Sequence, residues 1–280
     1  MKHYNLSLLL LLGIAFVSCK KESLHPTPKE DLSYLIKTYS REERSNQHSQ
    51  ETIITYNGYK QTSYKHFIDG RLHAEYQDIT YDELCFNCNV LIFSENNEIV
   101  TNQHFNIEYT DTTYTRSKHS INKVESETSN SDAVYETFNE YDGKRRMSRK
   151  RFRNGILISE NTDYKYDSLS CSYTMKEYSL NGDLVSSSNY EIQYLDDTFL
   201  REKVTRYTTE YVDGSPTTKY FKSVQYDGKK QIGYRVFVDG KLKEEGRDYN
   251  YNGLKCNYYV DRYQDGVFSY SISFEEQYLE

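Results

Sequence analysis

Three kinds of residue in this 280-residue chain could do chemistry: carboxylates that recur in pairs, four cysteines in the body of the chain, and seven histidines. Glu75 with Asp78, Glu160 with Asp163 and Glu245 with Asp248 have the pairing that glycosidases use for acid–base work. Yet they come three times at one spacing. Catalysis needs a single asymmetric constellation, whereas a sheet needs the same residue in every copy. Cys85-x-x-Cys88 has redox-pair spacing, but within one extended strand the two side chains would point to opposite faces. The histidines show no metal-ligand spacing such as His-Glu-x-x-His, and the sequence has no Gly-x-Ser-x-Gly elbow, Walker loop or Asp-x-Asp-x-Asp-Gly loop. The expectation is therefore no catalytic residue, no cofactor site, no metal site, and a protein that is not an enzyme.

The fifth cysteine stands in a different context. Lys2 and His3, the apolar run from Leu8 to Val17, and Phe16-Val17-Ser18-Cys19 resemble the signal and lipobox of a bacterial lipoprotein. That resemblance implies cleavage after Ser18, lipidation of Cys19 through a diacylglyceryl thioether, and an outer membrane lipoprotein at the cell surface or on the periplasmic face. Each buried CH₂ of such chains contributes about 0.8 kcal/mol, and two chains or more anchor stably. Lys20-Lys21-Glu22 is similar to the charged run that sends some lipoproteins to the outer face. Pro26 and Pro28 among charged residues also suit a solvated tether. Residues 1–18 are thus expected to be a signal peptide and 19–50 a lipidated tether with a short helix. Leu32, Leu35, Ile36 and Tyr39 share a helical face there, and Asp31 could cap it.

The elements that must position any site lie in residues 51–280. Thirty Tyr, 12 Phe and no Trp, with a mean hydropathy of −0.87, describe a chain rich in β-formers and poor in aliphatics. A net charge of −7 argues against nucleic acid and other polyphosphate partners, and no basic stripe is expected to invite nucleic acid. No second apolar stretch approaches transmembrane length.

Tyr56-Asn57-Gly58, Tyr141-Asp142-Gly143 and Tyr226-Asp227-Gly228 lie at one interval of 85 residues. The register continues without gaps through Phe67, Phe152 and Phe237, through Leu72, Leu157 and Leu242, and through Tyr81, Tyr166 and Tyr251. Turn dipeptides such as Asp239-Gly240 and Asp265-Gly266 punctuate each unit, and these are strong hairpin signals. The prediction is an all-β, long antiparallel meander of hairpins, about six strands per 85-residue repeat. Some strands, such as Lys241 to Asn250, have no apolar side. An open twisted sheet held by cross-strand ladders is therefore preferred to a sandwich, a closed barrel or a lipid-facing barrel.

Tyr226-x-Gly228-Lys229 followed by Phe237-x-x-Gly240-Lys241-Leu242 resembles the hairpin repeats of the MORN-variant family and, more loosely, the YD repeats of Rhs-type surface proteins. The resemblance implies scaffolding, display near a membrane or partner binding, with no catalytic residues to transfer. Cys171 and Cys256 share a repeat position that Phe86 fills in the first unit, which predicts a buried apolar slot. Six strands apart in an open sheet, the two cysteines could not be joined. The expected function is a membrane-anchored, non-catalytic binding or scaffold module for a protein partner. The alternatives are a glycan-binding lipoprotein accessory to polysaccharide uptake, with tyrosines as stacking platforms, and an immunity-type inhibitor.

Overall fold

A computed structural model describes residues 33–42 (backbone path), 49–57, 60–112, 114, 116–126, 132–199, 201–228 and 230–277. Cys19 and the expected signal peptide lie outside them. The first six strands are β1 (Ser33–Glu42), β2 (Ser49–Asn57), β3 (Lys60–Ile68), β4 (Arg71–Asp82), β5 (Cys85–Phe93) and β6 (Ile99–Tyr109). The next six are β7 (Ser117–Ser126), β8 (Ala133–Asp142), β9 (Arg145–Arg153), β10 (Ile156–Asp167), β11 (Ser170–Tyr178) and β12 (Leu184–Tyr194). The last six are β13 (Glu202–Tyr211), β14 (Thr218–Asp227), β15 (Lys230–Val238), β16 (Lys241–Asn252), β17 (Lys255–Gln264) and β18 (Val267–Gln277). All pairings are antiparallel, each between chain neighbours except that of β1 with β18, so the protein is all-β, and no helix occurs among the described residues.

β2 and β18 are not hydrogen-bonded to one another, so the seventeen strands from Ser49 to Gln277 form the open meander expected from the hairpin pattern. The expected short helix is corrected. Residues 33–42 form strand β1, which pairs with β2 from Ser33 to Arg41 and with β18 from Thr38 to Glu42. With β1 in that gap the hydrogen-bonded ladder has a partner on both edges of every strand. The physical reason is the repeat itself. The 85-residue offset carries β1 onto β7 and β13, so pairing partners outweighed a helical spacing of four apolar residues.

Turn chemistry recurs as the repeat requires. Asp69-Gly70, Asn154-Gly155 and Asp239-Gly240 all have positive φ at both positions, the twist that suits a two-residue hairpin. Each first residue also ties down a strand beyond its own hairpin. The Oδ1 atoms of Asp69, Asn154 and Asp239 accept the amides of Ser49, Val134 and Lys219, each at 2.7 Å. Behind these turns Phe67 faces Leu72, Phe152 faces Leu157 and Phe237 faces Leu242 across the ladder.

The thrice-repeated carboxylates have structural work in the sheet. Asp78, Asp163 and Asp248 sit at bulges in β4, β10 and β16, with φ of 52°, 57° and 57° where the register slips. Asp is among the few residues that tolerate this left-handed conformation. Glu160 accepts the Tyr178 hydroxyl at 2.6 Å, and Glu245 accepts Arg235 Nε at 2.6 Å. The repeated Tyr166 and Tyr251 hydroxyls donate to the backbone carbonyls of Arg146 and Gln231 at 2.8 and 2.7 Å.

Substantial strand contacts are confined to ladder neighbours, so among the described residues no second layer covers the sheet. Burial comes instead from side chains lying along the strands. Phe86, Cys88 and Val90 form a small cluster under Tyr76, Tyr81 and Phe105. The slot predicted to be buried is so: Phe86, Cys171 and Cys256 are 5%, 3% and 0% exposed, and both cysteines are free thiols.

Candidate functional site

Directly opposed residues point to the same side of a sheet, so the register sorts the side chains of the middle unit into two faces. Tyr173, Tyr190, Tyr207 and Tyr220 oppose one another in turn across β11, β12, β13 and β14. With Tyr164 they form a row of five stacked rings, centroids 4.7, 4.7, 4.6 and 4.6 Å apart with interplanar angles of 19°, 5°, 29° and 11°. Around the row on this tyrosine face lie Cys171, Ser186, Ser188, Ile192, Thr205 and Thr209, all buried. The other face carries Lys150, Glu160, Glu191, Arg206 and Arg235.

Stacking has a chemical consequence. Inside the row each ring covers the flat surface of the next, so the rings present edges and hydroxyls. Burial, followed by the neighbouring phenols, pushes Tyr190 and Tyr220 up to about 12. These phenols therefore remain neutral donors at neutral pH. Two hollows lie in this part of the sheet, one of about 280 Å³ over Cys171 and Ile192 and another of about 210 Å³ beside Tyr190 and Tyr207. Both fall below the usual range for a small-molecule pocket, roughly 300–1,000 Å³.

At the Tyr164 end of the row lies a group of residues that the overall charge concealed. β9 reads Arg-Arg-Met-Ser-Arg-Lys-Arg-Phe-Arg. Lys150 opposes Glu160, and Ser148 opposes Glu140, so the nearby carboxylates belong to the charged face. Arg149 and Arg151 belong to the tyrosine face, where Arg149 opposes Asn139 and Asn161, and Arg151 opposes Thr137 and Ser159. Arg146 joins them, its guanidinium 3.5 Å from the Tyr141 hydroxyl and 5.8 Å from that ring.

Among the described residues no carboxylate forms an ion pair with Arg146, Arg149 or Arg151, and the buried Nε atoms of Arg146 and Arg149 have no hydrogen-bond partner. Along this part of the face Ser159 opposes Glu177, one strand beyond Arg151, and Glu177 accepts the Ser186 hydroxyl at 2.8 Å. Burial lowers the Arg149 pKa, and the charges of Arg146 and Arg151 lower it further. A guanidinium stays protonated regardless, and its planar fork suits carboxylates and phosphates.

The arginines also break the repeat. Where the middle unit has Arg146, Arg149 and Arg151, the first has Gln61, Tyr64 and His66 and the third Gln231, Tyr234 and Val236. In those units the central tyrosine is tucked onto its own sheet. Tyr64 stacks on Tyr76 at 4.5 Å, and Tyr234 lies over Gly246, where an added Cβ would meet its ring at 2.2 Å. The signal that could have found the site was this local departure from the repeat, six Lys and Arg in the nine residues of β9, inside an acidic chain.

No family model matches the chain, and no curated protein matches it. Among solved structures the chain is similar to a porin-like protein from Bacteroides uniformis, at 10% identity and a TM-score of 0.41, over 87% of this chain and 95% of that one.

Proposed function

We propose that this chain is a cell-envelope lipoprotein, anchored through Cys19, that binds a macromolecular ligand along its tyrosine face without transforming it. The carrying observation is that face: a single layer of strands, uncovered by any second layer among the described residues, with rows of hydroxyls and a patch of guanidinium groups that no described carboxylate pairs. Broad, shallow surfaces suit proteins and polymers. The thrice-repeated carboxylates, the natural candidates for acid–base work, are committed to bulges and cross-strand bonds.

The geometry also bears on how a glycan could be held. Inside the five-ring row the flat faces are taken by neighbouring rings, so recognition there works through hydroxyls and charge rather than through sugar stacking. Fractionation of cells expressing Cys19→Ala tests the anchor, which predicts that the variant leaves the membrane fraction. That same variant, purified, serves for envelope pull-downs, glycan arrays and a screen of chromogenic glycosides, esters and peptides. Saturable binding without turnover supports the reading. Turnover abolished by a single carboxylate substitution would overturn it.

A further inference from the structure

We infer that Arg146, Arg149 and Arg151 form the specificity site of this binding face and take the carboxylates of an acidic, uronate-bearing polysaccharide. The inference rests on the binding function proposed above and names its ligand class.

Three positive side chains converge on one side of adjacent strand positions, while the carboxylates nearest in the ladder, Glu140 and Glu160, stand on the opposite side. A purely structural arginine would be expected to have a carboxylate across the strand, as Arg235 has Glu245 and Arg247 has Asp261. Here the opposed residues are Asn139, Asn161, Thr137 and Ser159, neutral groups that complement hydroxyls. Asn139 is itself half-satisfied: its Nδ2 donates to the Ser117 carbonyl at 2.9 Å, while its buried Oδ1 has no partner. Unsatisfied donors and acceptors therefore lie side by side.

A uronate matches both, because it carries a carboxylate for the guanidinium forks and hydroxyls for the amides and phenols. Phosphate offers acceptors for the arginines and little for Asn139. The row from Tyr164 to Tyr220 continues away from the arginines across five strands, which provides neutral hydrogen-bonding groups for further sugar units. Conversion of the two outer units to Gln, Tyr, His or Val at the same positions confines the charge to one place.

The test uses the chain carrying Cys19→Ala, titrated calorimetrically with an oligogalacturonate, a neutral oligosaccharide of equal length, and inorganic phosphate. Saturable binding of the acidic oligomer is expected. It should weaken about tenfold or more in Arg149→Gln and in Arg151→Gln, the loss of one charge-assisted contact. It should be unchanged in Lys150→Gln, which removes the same charge from the opposite face. Near-UV circular dichroism checks that each variant keeps the fold, and Arg149→Lys provides a milder substitution should Gln disturb it.

Equal losses in Lys150→Gln and Arg149→Gln would overturn the inference, since attraction would then be diffuse. Phosphate binding as tightly as the oligomer would overturn the sugar assignment. If the chain instead captures a neutral glycan or an envelope protein, and Arg149→Gln leaves that capture intact, the inference fails while the binding function stands. If no ligand of any class is bound, both fail.

Discussion

Tyr173 and Tyr190 stand directly opposite one another on β11 and β12, their rings 4.7 Å apart and within 5° of parallel. Tyr207 extends the stack on the far side of Tyr190 at 4.6 Å. With no covering layer among the described residues, such pairs take over the role of a core. Each aromatic pair contributes about 0.5–1.5 kcal/mol beyond its area. Tyr190→Ala removes two, so a loss of about 1–3 kcal/mol on top of that from the lost buried area is expected, against a small change for Tyr190→Phe, which keeps both stacks. Urea unfolding of the two variants measures this, and equal losses would mean that the hydroxyl rather than the ring matters.

Asn154 closes the β9–β10 hairpin and also holds β8 through the Val134 amide. Its replacement by Ala removes that bond and leaves a left-handed φ of 51° to a residue that resists it. A loss of about 1–2 kcal/mol is expected. Gly155→Ala meets open space but keeps a φ of 76°, so strain alone operates and the expected cost is about 1 kcal/mol. Chemical unfolding of Asp239→Ala should give a value close to that of Asn154→Ala, since the two turns make the same bonds.

Asp261 is buried on the charged face. Burial works to raise its pKa, but Arg247 at 2.6 Å and the Ser271 hydroxyl at 2.7 Å outweigh it, and the carboxyl is held below its ordinary value. A lowered folded pKa contributes stability above the unfolded value, near 4, and that stability is lost as pH falls through the folded value. Asp261→Asn should therefore be less stable than the parent at pH 7, with the gap narrowing at pH 3. Urea midpoints at the two pH values check this, and a gap that widens in acid would contradict it.

β1 pairs with β2 and with β18 and so protects both edges of the seventeen-strand meander. A chain lacking residues 33–42 exposes those edges, which are templates for pairing with other chains. Concentration-dependent association is expected in sedimentation experiments. A monomer at every concentration would show that the edges are protected without it.

Much of this architecture was legible because it repeats. Hairpin dipeptides such as Asn154-Gly155 were readable from turn chemistry, and the Phe86, Cys171 and Cys256 slot from its tolerance of two apolar types. β1 is not legible in the sequence, because Leu32, Leu35, Ile36 and Tyr39 satisfy a helical spacing and no local signal reports that strands β2 and β18 wait on either side. Asp78, Asp163 and Asp248 were visible as a pattern but not as bulge residues, since backbone conformation is not written in their spacing. The arginine patch escaped because which face a residue takes depends on register, and Arg146 reaches the side of Arg149 and Arg151 only through a slip between Glu140 and Tyr141.

β3, β9 and β15 occupy matching slots, nine residues each, followed by the same positive-φ turn. Their sequences have diverged from Lys-Gln-Thr-Ser-Tyr to Arg-Arg-Met-Ser-Arg to Lys-Gln-Ile-Gly-Tyr without disturbing hairpin length. Each slot thus behaves as an exchangeable cassette in a redundant frame. Grafting the β9 sequence into the β15 slot would relocate the cationic patch by six strands, about 29 Å along the sheet, turning a copied framework into an address system in which recognition is written one strand at a time.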